Sequence, residues 1–444
     1  MIYNKEFDLI EFSDFVDKGV SPFHVVNEVK EMLKDEGFSE LEMTKDFEIK
    51  KGGKYFIDVY DSSLIAFTVG KDFQNNKGIR ITSSHTDFPC FKIKPNMIIK
   101  SEVCEGLSYI KLNTEVYGGP ILNTWLDRPL AIAGRIVLKG EDAFSGKTIL
   151  LNSKRNLLTI PNLAIHMNRD VNKGFELNKQ KDMLPVIGLN NKFENDLDKQ
   201  EDILEMIFEE DFNNQGINKE DILDYELYIY SSEEGCELGL NEEMFQAPRL
   251  DNLTSVYAEA KAITKALRND GINVAMYFDN EEIGSKTKQG AASNIMMLLL
   301  EKIYNSMGYE RQTLLEDLLK GTMISCDVAH ALHPNSPEKS DPTNKVMLNN
   351  GIVIKLSAAQ SYSNDAIGTS IIKHICKENE VPYQVFVNKS DMVGGQTLGA
   401  ISSTIMPIRT MDIGIPLLAM HSAKELMGIK DQKYLEKFLT GFYS

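Results

Sequence analysis

Histidines and carboxylates that follow predicted strands are the side chains of this sequence best suited to chemistry. In open α/β sheets, ligands bind beyond the carboxyl ends of the strands. Five groups are predicted to reach that edge: His85, Asp251, Glu282, Asp327 and His421. Imidazole and carboxylate ligands together suit zinc, manganese or cobalt. Five ligands exceed what one tetrahedral zinc ion takes, so the set suits two divalent ions about 3.5–4 Å apart, bridged by one carboxylate and one water.

Two further carboxylates lie beside these candidate ligands in the sequence. Glu281 directly precedes Glu282 and could take the proton of the bridging water. Asp87 stands two residues after His85 and could accept the second imidazole N–H, which would fix the ring. The sequence therefore offers a base and an orienting group next to the predicted metal ligands.

Each of these residues also has a simpler interpretation. A histidine after a strand is commonly a capping or surface residue, a Glu-Glu pair is common on a solvated face, and Asp251 fits a helix N-cap. His330 and His333 could face one side of a helical turn or lie in the loop that contains Pro334. The shared placement at strand ends, rather than any single residue, favours a metal site.

The elements that must position these side chains alternate between helical and strand patterns. Helical spacing over 22–36 and β-rich composition over 54–68 come first, and a helix over 252–267 precedes a buried strand over 273–278. A capping-box pattern at 422–425 predicts the start of a last helix. Such alternation predicts an α/β fold with a mixed, largely parallel sheet flanked by helices.

The middle of the chain has a different character. Between residues 94 and 236, short β-like runs are separated by Gly, Asn and Asp turns, which predicts an inserted β-rich domain. The catalytic domain is then discontinuous and comprises residues 1–93 and 237–444.

Composition and charge exclude several classes of protein. The chain has 444 residues, of which 42% are hydrophobic, and 48 basic against 65 acidic residues give a net charge of −17. That charge argues against nucleic acid or an anionic membrane surface as a partner. No apolar run reaches the roughly 18 residues of a membrane helix, and the acidic N-terminus does not read as a signal peptide. Five scattered cysteines predict a reducing, cytoplasmic setting without disulfides.

Six motifs, in order along the chain, resemble those of the aspartyl aminopeptidase family, metallopeptidase family 18. They are Ser83–Asp87, Asn123–Leu130, Ala247–Asn252, Asp279–Ser285, Asp327–Asn335 and Ala419–Ser422. The resemblance covers nearly the whole chain and implies a zinc-dependent exopeptidase fold with a dinuclear site.

The resemblance assigns a role to each candidate residue. His85 and His421 would be terminal metal ligands, Asp251 would bridge the two ions, and Glu282 and Asp327 would complete the site. Glu281 would be the general base. Asp87, which could fix the ring of His85, is counted with Glu281 among the predicted catalytic residues. Three further positions match residues near the substrate: Lys355 near its first side chain, His333 in a pocket, and His166 reaching the active site of a neighbouring subunit.

The resemblance also predicts function and assembly. It implies a metal-dependent aminopeptidase that removes acidic or neutral N-terminal residues from peptides, with zinc as the expected metal and cobalt or manganese as alternatives. The insert would be a dimerisation domain, and dimers would assemble into a tetrahedral dodecamer. Two other hypotheses remain open from the residues alone: another dinuclear hydrolase, such as a carboxypeptidase, deacylase or glycan hydrolase, and a catalytically silent assembly particle.

Overall fold

The computed structural model describes residues 8–102, 104–191, 200–265, 268–392 and 394–444. Contacts between residues divide the chain into two compact units. The first comprises the chain up to Asp87 together with 235–420 and 425–444, and the second comprises 88–234 and 421–424. The short segment 421–424, which the sequence analysis assigned to the catalytic domain, thus groups with the second unit.

Ten α-helices occur within the described ranges. They are α1 (Leu9–Lys18), α2 (Pro22–Asp35), α3 (Gln200–Ile207), α4 (Glu209–Gln215), α5 (Leu250–Lys265), α6 (Ile295–Ser306), α7 (Arg311–Lys320), α8 (Ala366–Glu378), α9 (Leu398–Ile405) and α10 (Ile429–Tyr443).

The described residues also form twenty strands. They are β1 (Ser39–Glu40), β2 (Lys54–Val59), β3 (Ser63–Val69), β4 (Ile79–His85), β5 (Cys90–Lys100), β6 (Leu107–Tyr117), β7 (Leu130–Leu138), β8 (Lys147–Asn152), β9 (Val186–Asn191), β10 (Ile222–Ser231), β11 (Cys236–Leu238), β12 (Met244–Ala247), β13 (Ile272–Phe278), β14 (Thr322–Cys326), β15 (Ala329–His330), β16 (Ile352–Leu356), β17 (Tyr383–Val387), β18 (Arg409–Gly414), β19 (Pro416–Leu418) and β20 (Glu425–Gly428).

A nine-stranded sheet forms the centre of the first unit. Its strand order is β1-β2-β3-β13-β4-β14-β18-β16-β17. The four central strands β13, β4, β14 and β18 run parallel to one another, and the antiparallel pairs lie towards the two sides. A smaller sheet of the same unit has the order β11-β12-β20-β19-β15.

Both faces of the central sheet are covered by helices. Because side chains alternate along a strand, Val274 and Met276 of β13 enter the apolar core that includes Leu300 of α6. Asn273 points the other way and donates from Nδ2 to the carbonyl oxygen of Tyr443 in α10 at 2.9 Å. The Tyr443 hydroxyl, fully buried, contacts Thr82 of β4 at 2.6 Å and donates to the Val274 carbonyl at 2.8 Å. Helix α10 therefore closes this face of the sheet.

The second unit is built on one antiparallel sheet. Its strand order is β8-β7-β10-β5-β6-β9, and every neighbouring pair is antiparallel. The predicted fold class, a largely parallel sheet flanked by helices with a β-rich insert, is confirmed. The role of the insert in dimerisation stays a prediction.

Two local predictions differ from the structure. The β-rich stretch over 54–68, for which no turn was predicted, is a hairpin of β2 and β3, because Tyr60 and Asp61 turn the chain with positive φ. The predicted helix start at 422–425 is wrong, since Glu425 begins strand β20 and α10 starts only at Ile429.

Two other predictions concern the end of a helix and the setting of the protein. The last two residues of the predicted helix over 252–267 lie outside the described ranges. Among the residues that the structure describes, no helix is both long and apolar enough to cross a membrane. All five cysteines are free thiols, and the cytoplasmic location stays a prediction.

Candidate metal centre

Three neighbouring strands deliver their last residues to one edge of the central sheet. His85 is the final residue of β4, Asp327 directly follows β14, and Glu281 comes three residues after β13 ends. The strands are parallel and in contact, with β4 between the other two. Their carboxyl ends therefore meet, which is where an α/β sheet binds its ligands.

A compact group of ligand atoms forms at this edge. Nε2 of His85 lies 3.4 Å from Oδ1 of Asp251 and 3.7 Å from Oδ1 of Asp327. One ligand atom each from His85, Asp251 and Glu282 falls within a mutual distance of 4.8 Å. His85 and Asp251 are only 1% and 3% exposed. One imidazole and two carboxylates at this spacing fit the donor set of a zinc site.

The histidine ring is held so that its outer nitrogen faces the carboxylates. Nδ1 of His85 lies 2.9 Å from the backbone carbonyl oxygen of Asp87 and 3.5 Å from the carboxylate of the same residue. A carbonyl oxygen can only accept, so Nδ1 carries the proton and donates. In the neutral ring, the lone pair of Nε2 is then directed at Asp251 and Asp327, as a metal ligand requires.

The carboxylate of Asp87 has a second contact that the sequence did not indicate. Its two oxygens accept the backbone N–H groups of Glu281 at 3.0 Å and of Glu282 at 3.1 Å. These residues begin a short 3₁₀ helix, whose first N–H groups have no partner inside the helix. Asp87 thereby fixes the turn that carries both glutamates.

Asp251 is fixed from the C-terminal part of the chain. It lies at the start of α5 in an extended conformation, with φ −82° and ψ 104°. Its backbone N–H donates to Oε2 of Glu425 at 2.8 Å, and Glu425 is buried. The next residue, Asn252, donates from Nδ2 to the carbonyl oxygen of Cys326 at 2.8 Å, which ties the start of α5 to the end of β14. Sequence reasoning missed Glu425 because its partner is 174 positions away.

The centre carries a surplus of negative charge that shifts several pKa values. Burial raises the pKa of Glu281 to about 8; His85 opposes this shift, and the carboxylates of Asp327, Asp87 and Asp251 add to it. Burial lowers the pKa of His85, but its hydrogen bonds to Asp251, Asp327 and Asp87 outweigh burial and raise that pKa well above its ordinary value. Such a field favours a bound cation.

A cavity of about 290 Å³ opens in the same unit, between β15, β19 and the loop after β17. His330 and His333 line it together with Phe386, Lys389 and Leu417. His333 is exposed, and its Nδ1 accepts the N–H of Asn335 at 3.2 Å. The two histidines do not face one side of a helical turn: His330 is the last residue of strand β15, and only His333 lies in the loop.

Two of the predicted site residues belong to the second unit. His421 lies in the segment 421–424, and its Nδ1 is 3.1 Å from the carbonyl oxygen of Gly119. His166 is exposed in a turn. Lys355, in contrast, is buried in the first unit and contacts Asp327. The first unit therefore contains eight of the ten predicted residues: His85, Asp87, Asp251, Glu281, Glu282, Asp327, His333 and Lys355.

Comparison with known families gives one clear match over nearly the whole chain. The sequence profile described as aminopeptidase I zinc metalloprotease (M18) matches residues 15–443. A probable M18 family aminopeptidase 2 from Clostridium acetobutylicum is 48% identical over 432 residues, which cover 97% of each chain. Aspartyl aminopeptidase 4 from Saccharomyces cerevisiae is 36% identical and covers 98% of this chain and 94% of its own.

Solved structures share the fold. A chain from the cryo-EM structure of the Ape4 and Nbr1 complex superposes with a TM-score of 0.92 at 33% identity and covers 98% of this chain and 85% of that one. The dodecamer of mApe1 from S. cerevisiae gives a TM-score of 0.81 at 25% identity, covering 98% and 95% of the two chains.

Proposed function

The chain belongs to the M18 family of zinc aminopeptidases, and from that premise we propose that it removes acidic or neutral residues from the amino ends of peptides. The observation that carries the proposal is the ligand group of His85, Asp251 and Glu282, of which the first two are buried, with Glu281 next to Glu282 in the chain. Family membership makes the protein a metallopeptidase and favours this hypothesis over the other hydrolases and the silent particle.

We infer that the centre holds two divalent ions. Asp251 and Asp327 both direct an oxygen towards Nε2 of His85, and Glu282 adds a third carboxylate to the same space. With His421, the motif match would supply five ligands, more than one tetrahedral zinc ion takes. When bound, zinc polarises the scissile carbonyl and makes water a stronger nucleophile. The assignment of His421 rests on its motif.

Glu281 is the proposed general base. It stands next to the ligand Glu282 and shares with it the turn that the Asp87 carboxylate fixes. It would accept a proton from the attacking water and return it to the amine that leaves the scissile bond. A backbone hydrogen bond to Asp87 sets the position of Glu281. The Glu281 carboxylate can therefore rotate between the attacking water and the leaving amine without moving the turn.

The cavity that opens in the same unit as the centre is the proposed place for the first residues of the peptide. Its volume of about 290 Å³ suits one amino-acid side chain with its neighbouring groups. His333, Lys339 and Lys389 on the wall favour an acidic side chain, while Phe386 and Leu417 offer contacts to a neutral one. A relative called an aspartyl aminopeptidase supports the acidic alternative.

Self-association is proposed for the second unit. Tyr109 of β6 and Leu189 of β9 are cross-strand partners, and both are exposed, at 58% and 64%. Leu107 on the same strand is also exposed. Exposed aromatic and aliphatic side chains grouped on a sheet are typical of protein interfaces. The dodecamer of the yeast mApe1 supports an assembly of this kind here.

The proposed activity is tested with a panel of aspartyl-, glutamyl-, leucyl- and lysyl-p-nitroanilide. Protein stripped of metal is reloaded with zinc, cobalt or manganese, and N-acylated amino acids serve as the comparison substrates. We expect metal-dependent release from the free-amino substrates, with the aspartyl, glutamyl or leucyl compound preferred over the lysyl one. Cleavage of only the N-acylated compounds, or no cleavage by protein shown to bind two ions, would overturn the proposal.

A further inference from the structure

The turn that carries Glu281 and Glu282 has contacts besides those with the Asp87 carboxylate. It begins at Asn280, where a φ of 64° puts the backbone in the left-handed region. Ser285 closes it, because its N–H donates to the carbonyl oxygen of Asn280 at 2.8 Å. Asn280 is therefore the residue from which both glutamates are led away from the end of β13.

The side chain of Asn280 is held by the segment that follows the turn. Its Oδ1 accepts the Nε2–H of Gln289 at 3.0 Å and the hydroxyl of Thr287 at 2.8 Å. Nε2 of Gln289 also donates to Oδ2 of Asp279 at 3.2 Å. A side-chain amide has two N–H donors, so Gln289 uses both on the residues that join β13 to the turn. Asp279 and Asn280 are buried, which strengthens these hydrogen bonds.

Gln289 is itself anchored to the central sheet. The buried hydroxyl of Ser63, on β3, donates to the carbonyl oxygen of Gln289 at 3.0 Å and accepts the N–H of Asp279 at 2.8 Å. The next residue, Gly290, lies so close to Ser285 that a Cβ would stand 2.4 Å from the Ser285 carbonyl oxygen. Gln289 therefore belongs to a segment that is tied to the sheet and folded back against the turn.

The two glutamates depend on this anchor to different degrees. Glu282 is a proposed metal ligand, so coordination would hold it in addition to the Asp87 contact. Glu281 is proposed to act on water without binding an ion, so the turn alone sets its position. A displacement of about 1 Å in such a group costs about a hundredfold in rate.

We propose that Gln289 is a positioning residue that places Glu281 for proton transfer by fixing Asn280 at the start of the turn. The proposal rests on the proposed function. Gln289 touches neither the ligand group nor the attacking water in this scheme. It acts through the backbone that leads from Asn280 to Glu281.

The first test compares the kinetics of Gln289→Met with those of the wild type. Methionine has nearly the same length but no N–H donor. We expect kcat to fall about tenfold to a hundredfold for both aspartyl- and leucyl-p-nitroanilide, with KM nearly unchanged. Co²⁺ affinity should stay at the wild-type value, because every proposed ligand is kept. A merely structural role would lower stability without this split between kcat and KM.

The second test needs neither metal nor turnover. Hydrogen exchange is measured in the metal-free protein, where the N–H of Ser285 is protected by its bond to the Asn280 carbonyl. We expect this amide to exchange faster in Gln289→Met, because the turn opens more often. The amides of β4 should exchange as in the wild type.

A double-mutant cycle asks whether Gln289 acts through Glu281. In a Glu281→Gln background the base is already lost, so Gln289→Met should lower the residual kcat no further. Losses that add in the double variant would show that Gln289 acts on some other part of the centre.

Gln384→Met is the matched control. Nε2 of Gln384 donates to the carbonyl oxygen of Met347 at 2.9 Å, and its Oε1 accepts the N–H of the same residue at 2.8 Å. It lies on β17, with three strands between it and β4, or roughly 20 Å at the usual strand spacing. This variant also loses the hydrogen bonds of a glutamine amide, yet kcat, KM and the exchange of Ser285 are expected to stay at wild-type values.

Thr287→Val covers the case in which Gln289→Met fails to fold. Valine keeps the shape of threonine and removes the other donor to Oδ1 of Asn280. We expect a smaller loss of kcat, about threefold to tenfold, with KM and Co²⁺ affinity unchanged. This loss should likewise disappear in the Glu281→Gln background.

Three results would overturn the proposal: a kcat at the wild-type level in Gln289→Met, a loss of kcat matched by a loss of Co²⁺ affinity, or additive losses in the double variant. Failure of the proposed function is recognised separately, because wild-type protein would then cleave none of the free-amino substrates. The exchange of Ser285 would still decide whether Gln289 fixes the turn.

Discussion

The two units differ in how they hold the side chains that the sequence motifs mark out. In the first unit, His85 and Asp251 are almost fully buried. The backbone N–H of Asp251 donates to the carboxylate of Glu425, and those of Glu281 and Glu282 donate to the carboxylate of Asp87. In the second unit, His166 stands exposed in a turn. The first unit therefore fixes its geometry through its own fold. The role predicted for the exposed histidine would depend on what the turn contacts in the proposed assembly.

Glu281→Gln has the largest expected effect. It tests whether the site that the first unit holds in place uses Glu281 as its base. Glutamine keeps the backbone contact with Asp87 but cannot accept a proton, so we expect kcat to fall about a thousandfold. Bound metal, measured by elemental analysis, should stay at the wild-type level. Glu378→Gln, at an exposed residue of α8, is the control and should leave kcat unchanged. A near-normal kcat for Glu281→Gln would remove this residue as the base.

Leu189→Lys tests the exposed sheet of the second unit. A lysine in an apolar interface carries an unpaired charge, so we expect the dissociation constant of self-association to rise about a hundredfold. Light scattering after size-exclusion chromatography measures the change. Leu319→Lys replaces an equally exposed leucine of the first unit, on α7, and should leave the assembly intact. An unchanged assembly in Leu189→Lys would place the interface elsewhere.

His166→Ala tests whether the second unit serves a neighbouring active site. We expect kcat/KM to fall about tenfold, with normal metal content. The variant is then refolded together with Glu281→Gln. In a mixed dimer, the Glu281→Gln chain supplies His166 to the active site of the His166→Ala chain, whose Glu281 is intact. A statistical mixture of dimers should then recover about a quarter of wild-type activity. Activity of the mixture no higher than the sum of its two components would show that His166 acts within its own chain or not at all.

Glu436→Gln gives the smallest effect and separates the carboxylates of the metal centre from one that is merely buried. Burial raises the pKa of Glu436 to about 7. The folded state therefore binds more protons than the unfolded state between pH 4.5 and 7, and stability falls as the pH rises through that window. The variant removes this loss, so its advantage in unfolding free energy should grow from none at pH 4.5 to the order of 2 kcal/mol at pH 8.

Thermal or denaturant unfolding at several pH values measures this advantage, and kcat serves as its control. Glu436 lies on α10 and is not part of the ligand group, so kcat should stay unchanged. An advantage of the variant that is the same at pH 4.5 and pH 8 would contradict the raised pKa.

The sequence predicted those parts of the fold and the centre that have a local signal. The runs that form β4, β13 and β14 contain apolar or β-branched residues in short stretches, and polar residues follow these stretches, so the strand ends could be located and their side chains predicted to meet at one edge. The contacts of Glu425 and Lys355 could not be predicted in this way. Glu425 is 174 positions from Asp251 and Lys355 is 28 positions from Asp327, so no local pattern predicts these contacts.

The same limit explains the local errors. Ser422 and Glu425 match a capping box, but the strand pairing of β20 with β12 and β19 outweighs that local preference. The turn between β2 and β3 uses Tyr60 and Asp61 at positive φ, where glycine or asparagine is the usual signal. Tertiary contacts decide the structure in both places.

The contacts of Tyr443 determine the order in which parts of the central sheet can be completed during synthesis. Its hydroxyl joins Thr82, which precedes it by 361 positions, and the carbonyl of Val274, 169 positions before it. Strands β4 and β13 are therefore synthesised long before α10, and the contacts of the Tyr443 hydroxyl can form only after that helix has been made. We expect the central sheet to reach its final form only after α10 has been synthesised and has docked on it.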